Sequence, residues 1–243
     1  MPANDNEHAA GLIRKLGRLA TLDSEEQQIL AALPYRLEGV PAGTLLVSEG
    51  SVITQCCVLV EGYACRHKTS AEGKRQIVSF HIAGDILDIQ HLMLERADHN
   101  VETITAAQIA WVPVDKLRAL ALEQPNIGQA LWRDVLIDAS VFREWVLNVG
   151  RRDARTRIAH MLCEVAARAL AAGVVSEGQF LLPLSQEQIA DATGLTPVHV
   201  NRMLRDLREA GALSVVHKGV CIEDFDLLQA ISSFDPTYLH AAA

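Results

Sequence analysis

The 243-residue sequence predicts an α+β protein with three parts: an amino-terminal β-domain of sandwich or barrel type, a long helix, and a carboxy-terminal winged helix-turn-helix. Three observations predict it. Gly50, Gly62, Gly73 and Gly84 fall 12, 11 and 11 residues apart between short apolar runs. The stretch after Pro125 carries apolar residues at alternating steps of four and three. The segment SQEQIADATGLTPVHVNRMLRDLREAGAL, Ser185 to Leu213, reads as two helices joined by a tight turn.

The elements follow in order. EEQQILAAL is a short amphipathic helix opened by Asp23 or Ser24. From Arg36 to Val114 the runs TLLVS, QCCVLV, RQIVSFHI and VETITAAQIAWVPV alternate with turn signals, the texture of a sandwich or barrel. VDKLRALALEQ is a helix that Pro125 breaks or restarts.

The long helix then runs from about Asn126 to Asn148. Gly128, Trp132, Val135, Ala139, Phe142, Val146 and Val149 form a heptad seam, with Ile127, Leu131, Val141 and Trp145 as a flanking stripe. Two apolar stripes need two surfaces, so the flank is expected to pack on its own β-domain and the seam on a second copy of the chain, the alternative being that both are buried within one chain. In NVGRRDARTR, Gly150 and the charged cluster read as a hinge, and Asp153 as the cap of a helix over 154–172, apolar at Ile158, Met161, Leu162, Val165 and Leu170.

Ser185 with Gln188 makes a capping box, Gly194 ends that helix, Thr196 caps the next, and Pro197 takes its first position. In the second helix, about 197–210, Val200, Met203, Leu204 and Leu207 form the inward face. Its other face carries His199, Asn201, Arg202, Arg205 and Arg208. Arg bonds guanine O6 and N7, and Asn bonds adenine N6 and N7, so this face suits a DNA major groove. Arg205 and Arg208, further along, suit phosphates. After Gly211, LSVVHKGVCIED is a hairpin turning at His217, Lys218 and Gly219, with Lys218 at the tip of the wing.

The formal charge of -8 does not oppose this reading, because it is unevenly placed. Residues 1–150 hold 13 Lys/Arg against 19 Asp/Glu, whereas 151–218 hold 9 against 7. DNA binding needs a local basic face only. No apolar run reaches the ~20 residues of a bilayer span, and MPANDNEHAA is too polar for a signal peptide, so the expected place is the cytoplasm, with no membrane partner. Cys56, Cys57, Cys65, Cys163 and Cys221 lack metal or redox spacing and are read as reduced thiols, a redox-sensing role being the alternative.

With these elements in this order, the chain resembles the CRP/FNR family of bacterial transcription regulators from about Leu19 to Ile231. The residues that carry the resemblance are EGSVITQCCVLVEGYACRH, RQIVSFHIAGDILD, the long helix and LSQEQIADATGLTPVHVNRMLRDLREAGAL. The resemblance implies a jelly roll of the cyclic-nucleotide-binding type (11–125), a dimerisation helix and hinge (126–150), a winged helix-turn-helix (151–233) and a tail (234–243). It implies a homodimer on double-stranded DNA, with the seam Trp132, Val135, Ala139, Phe142, Val146 and Val149 joining the protomers. Arg202 falls on the family's base-reading arginine, Thr196, His199 and Asn201 on neighbouring contacts, and Ser185 and Gln186 on a phosphate-holding helix start. Many members have glutamate where Val198 stands. Valine cannot accept a hydrogen bond but can meet a thymine methyl.

The sensory pocket departs from the family pattern. Gly84-Asp85 stands where relatives hold a ribose, and Ala97-Asp98, before His99, stands where they hold a phosphate. Gly84, Asp85, Asp98 and His99 are the candidate effector pocket, yet Ala97 supplies no cation and Asp98 repels one more anion. Cyclic AMP is therefore not expected, and neither is an amino-terminal iron–sulfur cluster, since no cysteine precedes Cys56. The effector stays unidentified. His81, His91 and His99 are weighed as haem or metal ligands and read instead as surface or hydrogen-bonded residues. By family analogy the surface near Ala172 to Gln179 faces RNA polymerase. Two other functions are weighed. A metal-dependent jelly-roll enzyme would need ligand spacing that His67, His81 and Glu61 lack, and a sensing module without DNA function would not need the basic helix.

Overall fold

A computed structural model describes residues 7–175, 180–217 and 219–240. The chain divides into two compact units: one from residues up to Arg66 and His81–Ala139, the other from His67–Phe80 and Ser140 onward.

The first unit opens with α1 (Glu7–Leu19), an element outside the sequence expectations. Its signal was legible in Ala9, Leu12, Leu16 and Leu19, which recur at helical spacing and are all buried. Next comes α2 (Ser24–Ala31), capped by Asp23, whose side chain accepts from Glu26 N while Glu26 accepts from Asp23 N. The strands are β1 (Arg36–Val40), β2 (Leu45–Val47), β3 (Gln55–Glu61), β4 (Tyr63–Thr69), β5 (Arg75–Ile82), β6 (Asn100–Thr103) and β7 (Ala107–Pro113), with the 67–80 part of β4 and β5 counted in the second unit. They form two sheets, ordered β1-β7-β3 and β2-β6-β4-β5. The four punctuating glycines all have positive φ, as turns between strands require.

Cys57, Leu59 and Ile109 pack between the sheets with Val47, Ala64 and Val101. The other face of the same strands, Cys56, Val58, Ala110 and Val112, packs against Leu12, Leu16, Leu30, Leu117, Ile127 and Leu131 from the helices. A strand covered on both faces needs no polar alternation, which explains the unbroken apolar run QCCVLV. The adjacent cysteines point to opposite faces and both are buried; burial pushes both thiols above their ordinary range.

Helix α3 (Val114–Glu123) ends before Pro125, which opens α4 (Pro125–Arg151). Gly128 belongs to this junction rather than to the seam. It is buried, and a Cβ there would lie 2.4 Å from Ala121 O, so only glycine lets α4 start so close to α3.

In the second unit, α5 (Ala154–Ala172) is capped by Asp153, which accepts from Arg155 N and Thr156 N. Gly150, expected at a hinge, lies within α4, which continues through it to Arg151. The corner beyond is pinned: Arg157 donates to Asn148 O at 3.1 Å, to Arg152 O at 2.9 Å and to Thr193 O at 2.8 Å. Strand β8 (Phe180–Leu182), α6 (Gln186–Thr193), α7 (Pro197–Glu209), β9 (Leu213–Val216), β10 (Gly219–Ile222) and α8 (Phe225–Ser232) follow, with sheet order β8-β10-β9.

The described part of the segment expected as a tail, 234–240, is docked. Phe234 is buried, and Tyr238 Oη donates to Glu164 Oε2 at 2.7 Å. Trp145 Nε1 donates to the same carboxylate at 2.9 Å, which supplies partners to a fully buried acid on α5.

Candidate nucleic-acid interface

The second unit sets α6 and α7 by local chemistry. Ser185 Oγ accepts from Gln188 N at 3.1 Å and Gln188 Oε1 accepts from Ser185 N at 2.8 Å, the expected capping box. Gly194 closes α6 in the left-handed region, at φ 66°. Thr196 Oγ1 accepts from His199 N at 3.3 Å, and Pro197 stands at the first position of α7. Val200, Leu204 and Leu207 are buried, and Met203 is half-buried.

That inward face fixes what points out. With 3.6 residues per turn, the direction opposite the buried stripe is occupied by Val198, Arg202, Arg205 and Glu209, all exposed. Arg205 pairs loosely with Glu209, at 3.9 Å. His199 lies at the flank and is half-buried. Asn201 lies at the other flank, and its Nδ2 donates to Gln186 Oε1 at 3.1 Å, joining the two helices. Arg202 and Arg205 thus stand on the outward stripe, while His199 and Asn201 border it. Ser185 is exposed at the start of α6 and Gln186 half-exposed beside it. Lys218 lies outside the described residues, as does the 176–179 part of the surface read as facing RNA polymerase.

Sequence reasoning leaves Val198 out of the expected contact residues because it has no hydrogen-bonding atom, although it notes that valine there can meet a thymine methyl. Its spacing, four residues before Arg202, is the signal that places it on the same stripe.

On α4 the two stripes behave differently. The flank residues Ile127, Leu131, Val141 and Trp145 are buried. Along the seam, Trp132, Phe142 and Val146 are exposed, and Val135, Ala139 and Val149 half-buried.

In the first unit, the candidate pocket residues have separate engagements. A Cβ on Gly84 would lie 2.9 Å from Gly11 O, and its φ is +97°, so this turn admits α1 only as glycine. Asp85 Oδ1 accepts from Lys15 Nζ at 2.9 Å, and its Oδ2 from Ile82 N at 3.2 Å. The Asp98 side chain is 80% exposed and bonds the His99 ring at 2.6 Å. His99 is buried and also meets Gln90 at 3.0 Å. Burial, opposed by Asp98, holds the His99 ring below its ordinary pKa. His81 contacts Asp85 at 3.2 Å, and His91 contacts Leu94 O at 3.1 Å. Among the described residues no group of three or more His, Cys, Asp or Glu is placed to hold a metal ion.

The sequence model of the cyclic nucleotide-binding domain matches residues 37–124, and that of the Crp-like helix-turn-helix domain matches residues 156–231. The residues present do not fit a cyclic nucleotide's phosphate: Ala97 is buried in the sandwich core, and the buried Arg66 is already bonded to Asp138 at 2.6 Å and Leu87 O at 2.9 Å. A probable transcriptional activator of Rhizobium leguminosarum bv. viciae is 28% identical over 195 residues, 80% of each chain. The transcriptional activator protein FnrL of Cereibacter sphaeroides is 29% identical over 217 residues, 88% of this chain and 86% of its own. Among solved structures, FixK2 of Bradyrhizobium japonicum matches with a TM-score of 0.74 at 22% identity, over 82% of this chain and 98% of its own. With a cyclic-nucleotide-binding-type β-domain, a long helix and a winged helix-turn-helix in this order, and with relatives matched along most of their length, the chain belongs to the CRP/FNR family of DNA-binding transcription regulators.

Proposed function

We propose that the protein works in the cytoplasm as a homodimer on an inverted-repeat DNA site, each protomer inserting α7 into the major groove. Arg202 bonds a guanine edge, Asn201 and His199 border it, and Ser185, Gln186, Thr196, Pro197 and Arg205 hold the sugar-phosphate backbone. Lys218 adds a phosphate contact from the wing. The role is regulatory and not enzymatic.

The observation that carries this reading is the outward stripe of α7, which keeps Arg202 and Arg205 exposed while the opposite stripe is buried. The dimer is supported by the α4 seam, where Trp132 is 62% and Val146 73% exposed, with the chain's own core already filled by the flank stripe. A signal acting on the β-domain shifts the α4 pair and so the population of DNA-competent dimers. Contact with RNA polymerase completes the role.

The test is selection from a random duplex library, with purified full-length protein, no added ligand, and moderate salt. An enriched inverted repeat with half-sites about 34 Å apart is the expected result. Enrichment of a single unrepeated half-site overturns the dimeric reading. No enrichment overturns specific binding without an effector.

A further inference from the structure

Val198 is the most exposed large apolar side chain among the described residues, at 83%. Single exposed apolar residues are ordinary on a protein surface. This one is placed differently. It sits in the first turn of α7, at the amino-terminal end of a stripe whose other members, Arg202, Arg205 and Glu209, are all charged. Valine also lowers helix propensity there, where no packing repays it. Neither the fold nor solubility accounts for it.

We propose that Val198 reads the C5-methyl group of a thymine in each half-site. The proposal rests on α7 being the groove-binding helix. In the major groove the thymine methyl is the apolar feature of the base edges, so a desolvated valine has one good partner class there. Four residues of helix span about 6 Å, less than two base-pair steps of about 3.4 Å. The thymine therefore lies within two base pairs of the guanine that Arg202 bonds. Asn201 does not compete for this place, since its Nδ2 is already given to Gln186. The half-site is thus read by one charged and one apolar side chain from the same stripe.

The experiment uses the duplex recovered by selection, with each thymine of the half-site replaced in turn by deoxyuridine, which lacks only the methyl group. Full-length protein and its Val198→Ser variant are titrated against both duplexes. At one thymine position, the unaltered protein loses about four-fold in affinity, the factor for one buried methyl group at about 0.8 kcal/mol. Val198→Ser binds the thymine duplex with the same loss and shows no further loss with deoxyuridine. Its salt dependence is unchanged, because valine neutralises no phosphate. Equal affinity for thymine and deoxyuridine at every position overturns the proposal, as does a Val198→Ser variant that keeps the full deoxyuridine effect. An Arg202→Ala control that binds the site as tightly as the unaltered protein overturns instead the reading of α7 itself.

Discussion

Lys15 Nζ of α1 lies 2.9 Å from Asp85 Oδ1 in the turn after β5, and the same ammonium reaches Asp134 Oδ2 of α4 at 2.8 Å. Both carboxylates are buried. Burial acts to lower the Lys15 pKa, but Asp134 and Asp85 together outweigh it and hold the group above its ordinary value. Asp134 itself is raised, because burial outweighs the attraction of Lys15. One cation therefore joins three elements of the first unit, and the aspartate expected to face a ligand instead binds the chain's own helix.

Replacing Lys15 with Met leaves two buried carboxylates side by side without their cation. Breaking such a buried arrangement costs about 3–5 kcal/mol, and the partly exposed Lys15 side chain puts the expected value at the lower end. Urea unfolding of Lys15→Met measures it. A triple variant that adds Asp85→Asn and Asp134→Asn recovers more than half the loss. A single variant as stable as the parent means the ammonium is idle.

Gly128→Ala tests the junction of α3 and α4. Alanine in a helix interior ordinarily stabilises by about 1 kcal/mol over glycine. Here its Cβ would lie 2.4 Å from a backbone oxygen that cannot swing away, Ala121 O. The expected sign is therefore reversed, with a loss of about 1–3 kcal/mol. Thermal unfolding decides it, and a raised midpoint would remove the close approach as the reason for this glycine.

What the sequence made legible follows physical range. Local signals carried well: the Ser185–Gln188 capping box, the Asp23 cap, the Thr196-Pro197 start and the glycine turns depend on neighbours in the chain. Tertiary requirements did not. Gly128 fits a heptad position in sequence, yet the backbone of Ala121 decides its role. Tyr238 looks like part of a tail until Glu164 supplies a partner 74 residues away. Lys15 draws no expectation from the sequence, since its partners Asp85 and Asp134 are distant along the chain. In the interface, Arg202 was legible from its chemistry, whereas Val198 needed the burial of the opposite stripe to define the outward direction.

The seam and the flank of α4 separate in mutation. Val146→Glu alters a side chain 73% exposed, so the fold is expected to change by less than about 0.5 kcal/mol. A charge in an apolar seam disfavours pairing, so sedimentation equilibrium is expected to show dimer association weakened at least ten-fold. Trp145→Ala removes a buried ring that also bonds Glu164, and is expected to cost about 3–5 kcal/mol of folding stability. A Val146→Glu protein that stays fully dimeric places the contact between copies elsewhere.

Asp88 gives the first unit a pH dependence of defined sign. The residue is fully buried; its Oδ1 accepts from Cys57 N at 3.0 Å, and its Oδ2 has no hydrogen-bond partner among the described residues. Burial pushes the carboxyl from 3.8 up to about 7, against the opposing pull of the Cys57 N–H and the Arg66 guanidinium. Between those two values the folded chain binds a proton that the unfolded chain does not. The stabilisation is therefore complete below pH 3.8 and lost as pH rises through about 7. His160 in the second unit works the other way: burial, then Arg152, hold its pKa near 4, so its contribution is lost as pH falls. The two trends oppose each other in a curve for the whole chain, so the informative quantity is the difference between parent and variant. Asp88→Asn keeps a side-chain oxygen for Cys57 N and cannot ionise. It is expected to match the parent near pH 4 and to exceed it by on the order of 2–4 kcal/mol at pH 8. Urea midpoints at pH 4, 5.5 and 8 test this, and a difference that stays constant across the three would mean that Asp88 does not titrate in that window.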